Sequence, residues 1–198
     1  MPQHTTVGLL LAAGFGKRFD PDGVRNKLNA LLESGTPVAV QATQNLLSVL
    51  PDVIAVVRSS EMEEKFNQLG CRSLVFPHAE QGMGASLAYA VSAANETGAD
   101  SVVVALADMP YLRPATIQQI VAALSAGADI VQPVFQHQPG HPVGFSRQHF
   151  AALMALTGDV GARYLLREFP VMQIAVEDPG VVRDIDYLTD LRSQIDGE

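Results

Sequence analysis

Short apolar runs rich in Val, Ile and Ala alternate along this chain with longer stretches in which apolar residues recur every three or four positions. The short runs, at 6–12, 53–57, 73–76, 101–106, 130–133 and 171–176, predict strands. The longer ones, at 38–50, 61–69, 84–95, 114–125, 147–156, 160–168 and 187–195, predict helices. Pro114 opens one helix, and Gly70, Gly98 and Gly127 stand near the ends of three others, which is the usual punctuation. Runs 6–12 and 101–106 are apolar almost throughout, as strands buried on both faces of a parallel sheet must be. The pattern predicts βαβ units, hence an α/β fold with three layers and a mostly parallel, Rossmann-like sheet. The polar stretch QHQPGHP at 136–142 predicts a loop or hairpin over that sheet.

A chain of 198 residues, 47% hydrophobic, fills one well-buried domain and is too short for two ordinary ones, so 1–198 is expected to be a single domain. Its formal charge of −8 argues against a nucleic-acid partner gripped through phosphates. Cys71 is the only cysteine, which excludes an intrachain disulfide and a cysteine metal cluster; its expected role is to fill core space. No run approaches the roughly 18 apolar residues that span a bilayer. With no secretory signal pattern either, a soluble, cytoplasmic protein is expected, with no membrane partner.

The segment LLLAAGFGKRFDPDGVRNK, residues 9–27, is where chemistry enters. An apolar strand stops at a turn holding Gly14 and Gly16, followed by Lys17, Arg18, Arg25 and Lys27. Glycines let backbone N–H groups approach an anion closely, and the cations neutralise phosphoryl charge. Such a turn also occurs for purely structural reasons. It is neither of two standard nucleotide loops: position 19 is Phe where G-x-G-x-x-G needs a third glycine, and no Walker sequence occurs.

Asp108 follows a buried strand in SVVVALADMPYL and emerges at the same sheet edge. Its carboxylate either holds a Mg²⁺ beside a polyphosphate or caps the turn made by Pro110. In EQGMGAS, residues 80–86, backbone N–H groups and a hydroxyl read a base or ribose, or else cap the following helix. His141 lies in a polar loop and, without a neighbouring His or Cys, forms no transition-metal site. Asp159 and Arg163 in GDVGAR are spaced as an (i, i+4) ion pair. In Asp184-Ile185-Asp186, alternation points both carboxylates to one face of a strand end, from which a second metal ligand could come.

Taken in order, LAAG-x-G-x-R…KL, QGMGAS, LADMP, GHPVGF, GDVGAR and D-I-D resemble, over nearly the whole chain, the nucleotidyltransferases of the molybdenum cofactor. The resemblance is nearest the cytidylyltransferase group of that MobA-like family. It implies the fold of nucleotide-diphospho-sugar transferases and transfer of CMP from CTP to the phosphate of molybdenum-loaded molybdopterin, releasing pyrophosphate. It also implies a molybdenum hydroxylase, or its maturation factor, as partner. By the same resemblance Ala12, Ala13 and Gly14 contact the base through the backbone, while Gly16, Arg18 and Lys27 hold the triphosphate. Gln81, Gly82 and Ser86 flank base and ribose. Asp108 and Asp186 bind Mg²⁺, and His141, Asp159 and Arg163 face the pterin substrate. CTP rather than GTP is implied by LAAG in place of LAGG, with the Ala13 methyl narrowing the base pocket.

Two departures stand out. Between Arg18 and Lys27 the family has a shorter turn with a glycine right after a Met or Phe, whereas residues 20–26 intervene here, so either Lys27 or Arg25 reaches the phosphates. The C-terminal motif reads D-I-D-Y-L-T-D-L and lacks the family's Thr-Pro-Glu, although Asp186 and Asp190 remain. The alternatives are an enzyme of the same fold using GTP or a sugar phosphate, and a cofactor carrier without transferase activity.

Overall fold

The computed structural model describes residues 4–14, 16, 18–19, 26–159 and 161–191. One mixed sheet of eight strands runs through the molecule: β1 (Thr6–Leu11), β2 (Val53–Val57), β3 (Arg72–Val75), β4 (Ser101–Leu106), β5 (Ile130–Phe135), β6 (Gln138–Pro139), β7 (Val143–Ser146) and β8 (Met172–Ala175). Its order is β3-β2-β1-β4-β7-β5-β6, and β8 pairs with β5. The four strands β3, β2, β1 and β4 are mutually parallel, as is the β5–β8 pair.

Helices cover both faces. Cores on the two sides separate by the alternation of the strands: Leu10 and Ala12 face α1 (Val38–Leu47), α2 (Ser60–Gln68) and α4 (Pro114–Ser125) through Leu46, Phe66 and Ile117. Val7, Leu9 and Ala13 face α3 (Met83–Glu96), α5 (Phe150–Met154) and α6 (Leu165–Glu168) through Leu87, Phe150 and Leu165. Burial on both faces is the physical reason that β1 and β4 are unbroken apolar runs. Cys71 is buried in the first of these cores.

β7 is the element the sequence pattern does not predict. VGFS is short and follows Pro142, yet it lies antiparallel between β4 and β5 and joins the two parallel parts of the sheet. Gly144 makes this possible, since a Cβ there would stand 2.8 Å from Ile120 Cγ2 and 2.8 Å from Leu124 Cδ1 of α4. The polar stretch before it turns back through Gln136 and His137, both at positive φ, as a hairpin from β5 to β6.

The C-terminal helices are shorter than expected. The segment 147–156 begins as a 3₁₀ turn, Arg147–His149, before α5; 160–168 is a 3₁₀ turn, Ala162–Tyr164, before α6, with Val160 outside the described residues. Of the helix expected over 187–195, the described part is a 3₁₀ turn, Leu188–Leu191, and 192–195 lie outside the described residues. The Asp190 carboxylate explains that compact turn by accepting from the backbone N–H of Asp186 (2.9 Å) and of Tyr187 (2.6 Å).

Candidate active site

Because β1 to β4 are parallel, the segments after them gather at one sheet edge, the place where α/β folds bind ligands. After β1 come Ala12 and Ala13, whose methyls are buried in opposite cores, and then the glycine turn. Any effect of Ala13 on a base therefore passes through the loop backbone, because its methyl is packed against the α3 side. Gly14 has no neighbour among the described residues within 4 Å of a hypothetical Cβ and lies outside the left-handed region. Its carbonyl accepts from Arg58 Nη1 at 2.7 Å, which fixes the turn from the end of β2. Gly16 is left-handed (φ +62°), and a Cβ on it would be 3.2 Å from Lys27 Cγ.

Lys27 starts a 3₁₀ turn held by buried Leu28 and by Asn26, whose side chain accepts from Leu28 N–H. Its ammonium reaches Asp108 Oδ2 at 2.5 Å and Asp186 Oδ1 at 3.4 Å. Arg18 donates to Asp186 Oδ2. Arg25 lies outside the described residues, so of the two cations weighed for the phosphates only Lys27 has a described position.

Asp108 is held by its surroundings more than by its own bonds. Asn45 of α1 donates to the carbonyls of Pro110 (2.9 Å) and Leu112 (2.8 Å), pinning the turn after β4. The Asp108 carbonyl accepts from Ile185 N–H at 2.9 Å, and Ile185 is fully buried. That single contact sets the D-I-D segment beside the turn, with one ligand oxygen from each of Asp108, Asp184 and Asp186 within 4.8 Å of the others. Farther back, buried Asp178 accepts from Arg113 N–H, Thr116 Oγ1 and Gly180 N–H, anchoring the approach to D-I-D on the start of α4. Gly180 is obligatory there, as a Cβ would fall 2.2 Å from the Tyr111 carbonyl.

The electrostatics follow from this crowding. Burial by itself would lower the Lys27 pKa, but the Asp108 and Asp186 carboxylates outweigh it and hold the ammonium above its ordinary value. Partial burial, reinforced by Asp186 and Asp108, pushes Asp184 up. Burial draws His141 down against the opposing pull of Asp108 and the Val104 carbonyl, with Arg163 adding to the decrease, so the ring is neutral at pH 7. Its Nδ1 is buried and has no hydrogen-bond partner among the described residues, and the same holds for Asp108 Oδ1. His141 reaches this position because its N–H donates to the Val181 carbonyl at 2.8 Å.

The remaining residues singled out from the sequence form a second group. Gly82 (φ +98°) lies against the 158–159 turn, where a Cβ would be 2.2 Å from Asp159 Oδ1, and Gly84 N–H donates to the Gly158 carbonyl. Thus QGMGAS and GDVGAR meet at the start of α3. Gln81 is exposed, whereas buried Ser86 spends its hydroxyl on the Gly82 carbonyl at 3.2 Å. Asp159 and Arg163 are both exposed, and no ion pair joins them among the described residues. Sequence reasoning did not single out Arg58 or Asp178; the usable signal for Arg58 was its place directly after β2.

A parallel-sheet edge that gathers a glycine turn, two cations and three carboxylates has the groups to bind phosphate and a divalent cation. The model of the MobA-like NTP transferase domain matches residues 8–174, and this chain belongs to that family. It is 29% identical to the purine catabolism protein PucB of Bacillus subtilis (strain 168), over 91% of each chain. Among solved structures it is similar to Rv0371c of Mycobacterium tuberculosis H37Rv, with 27% identity, a TM-score of 0.78 and 96% of each chain covered. A manganese complex of Rv0371c matches with 26% identity and a TM-score of 0.73, over 94% of this chain and 95% of that one. The nucleotidyl transferase Mth528 of Methanothermobacter thermautotroptrophicus shares the fold, at 21% identity and a TM-score of 0.77 over 94% of each chain.

Proposed function

We propose that this chain, acting as one nucleotidyltransferase domain, transfers CMP from CTP to the terminal phosphate of molybdenum-loaded molybdopterin. The products are the cytosine dinucleotide form of the cofactor and pyrophosphate. The supporting observation is the network of Lys27, Arg18, Asp108 and Asp186 beside the glycine turn. An acceptor phosphate oxygen attacks the α-phosphorus in line, and pyrophosphate leaves with the electron pair of the broken P–O bond. The nucleophile is already ionised, so no strong general base is needed; positioning and charge carry the catalysis.

In this scheme the backbone of Ala12, Ala13 and Gly14 contacts the base, Gly16 lines the triphosphate, and Arg18 and Lys27 neutralise the charge that develops on pyrophosphate. The residues fit a hard divalent cation such as Mg²⁺: three carboxylates converge, and a buried Asp108 oxygen has no partner among the described residues. Asp108 and Asp186 would hold it, and when bound it neutralises phosphate charge. Rv0371c, solved with manganese, makes the same class of ion reasonable here. Neutral His141, with Asp159 and Arg163, faces the acceptor, and the recipient of the product is a molybdenum hydroxylase or its maturation factor.

Mass spectrometry of products formed from CTP or GTP with Mg²⁺ and molybdenum-loaded molybdopterin tests the proposal. The cytosine dinucleotide with pyrophosphate is the expected outcome. Product from GTP alone, or only with a sugar-phosphate acceptor, overturns the substrate assignment. Tight pterin binding without pyrophosphate release identifies a carrier instead.

A further inference from the structure

The carboxylates assigned above to a divalent cation already have cationic partners within the chain. Lys27 Nζ lies 2.5 Å from Asp108 and 3.4 Å from Asp186, and Arg18 is paired with the second oxygen of Asp186. The Lys27 side chain is only 10% exposed. Leu28 anchors its turn in the core, and the missing side chain of Gly16 leaves room for its stem. Lys27 is thus built into the carboxylate cluster rather than resting on it.

Two cations against Asp108, Asp184 and Asp186 leave a site with most of its charge already neutralised. A divalent ion arriving alone must displace an ammonium that has no other anion among its described partners. A polyphosphate changes this balance, because its oxygens offer Lys27 and Arg18 an equivalent or better set of acceptors.

We infer that Lys27 is an internal counter-ion that keeps the carboxylates closed to metal until the nucleotide arrives. On nucleotide binding, Lys27 and Arg18 exchange carboxylate for phosphate oxygens, and Asp108 and Asp186 become available together. Metal and nucleotide affinities are then coupled, each strengthening the other by the same factor. The inference rests on the nucleotide-binding reading of this site.

The test titrates Mn²⁺ alone into the full chain, following free Mn²⁺ by electron paramagnetic resonance, and separately measures CTP affinity with and without Mn²⁺. Lys27→Met keeps the length of the stem and removes the charge. It should bind Mn²⁺ alone more tightly than the parent chain by at least about fivefold, the lower end of typical coupling between sites. The gain should vanish in Lys27→Met/Asp108→Asn, and the effect of Mn²⁺ on CTP affinity should shrink in Lys27→Met.

Arg18→Ala removes a side chain that is 72% exposed, so it tests the same competition without disturbing the core if Lys27→Met does not fold. It should tighten Mn²⁺ binding by a smaller factor in the same direction. Unchanged or weaker Mn²⁺ affinity in the folded variants, with CTP binding intact in the parent chain, overturns the counter-ion role alone. Failure of the parent chain to bind CTP with or without Mn²⁺ overturns the nucleotide reading and this inference together.

Discussion

Gly14 and Gly16 stand two residues apart in one turn, yet substituting them should move stability in opposite directions. A Cβ on Gly14 would have no heavy atom of the described residues within 4 Å, and the backbone there is outside the left-handed region. Gly14→Ala therefore strains nothing in the folded chain and restricts the unfolded one, which is worth about 0.4–1 kcal/mol in favour of folding. For a chain of this size that raises Tm by about 1–4 °C. Gly16 is at φ +62°, and its Cβ would press on Lys27 Cγ at 3.2 Å, so Gly16→Ala should lower stability by about 1–2 kcal/mol.

Binding should tell the converse story at position 14. If the open space over Gly14 is where the nucleotide lies, one added methyl there costs about 1–3 kcal/mol, or roughly 10–200-fold in CTP affinity. Scanning calorimetry of the ligand-free variants and isothermal titration with CTP and Mg²⁺ read the two effects separately. A Gly14→Ala variant with raised Tm and parental CTP affinity would refute the placement of the nucleotide over Gly14. One that lost stability as Gly16→Ala does would instead show that the backbone itself requires glycine at 14.

Asp108→Asn should cut turnover by about 10²–10³-fold, since the lost charge matters most as charge builds in the transition state, and a near-parental rate of pyrophosphate release would sink its assignment. Gly82→Ala puts a Cβ 2.2 Å from Asp159 Oδ1 at φ +98°, so it should lower Tm and loosen the 158–159 turn; an unchanged Tm would contradict that packing. Burial of His141 favours its neutral form in the folded state. Its contribution to stability is therefore present above the ordinary pKa of 6.5 and lost as pH falls below it. Urea midpoints at pH 7.5 and 5.5 should converge in His141→Asn relative to the parent, and an equal acid loss in both would exclude His141 as a contributor. Burial pushes the Cys71 thiol up to about 11, so a disulfide reagent at pH 8 should label it only after unfolding; prompt stoichiometric labelling of the native chain would show it exposed.

The central strands of the parallel half, β1, β2 and β4, could be read from sequence because one energetic term dominates there, burial on both faces. Val53–Val57 is buried at every position, and the unbroken apolar run records it. β7 escaped because its place depends on a neighbour rather than on its own period: Gly144 is there to admit Ile120 and Leu124 of a helix twenty residues earlier. The described start of the helix expected over 187–195 is a 3₁₀ turn for the opposite reason, since a local carboxylate, Asp190, captures two N–H groups and tightens the turn. Apolar periodicity does not report such competition.

The candidate site divides along the same physical line. Residues that follow a buried strand, such as Asp108 and the glycine turn, could be located because strand ends of a parallel sheet share an edge. Their convergence with Asp184 and Asp186 could not, because it is made by one backbone bond, Ile185 N–H to the Asp108 carbonyl, between residues 77 apart in sequence, as the numbering gives. The same bond holds the D-I-D segment beside Asp108 without the Thr-Pro-Glu sequence. What the D-I-D segment needs in order to present its carboxylates is a buried Ile185 between them and a cap for the turn that follows, and Asp190 supplies the cap. An Asp190→Ala variant should therefore lose alignment of Asp186 while keeping every group proposed to meet the phosphates, so its defect should appear as weakened metal-dependent CTP affinity before any loss of fold. A variant with parental Mn²⁺-dependent CTP binding would mean that Ile185 alone sets the geometry.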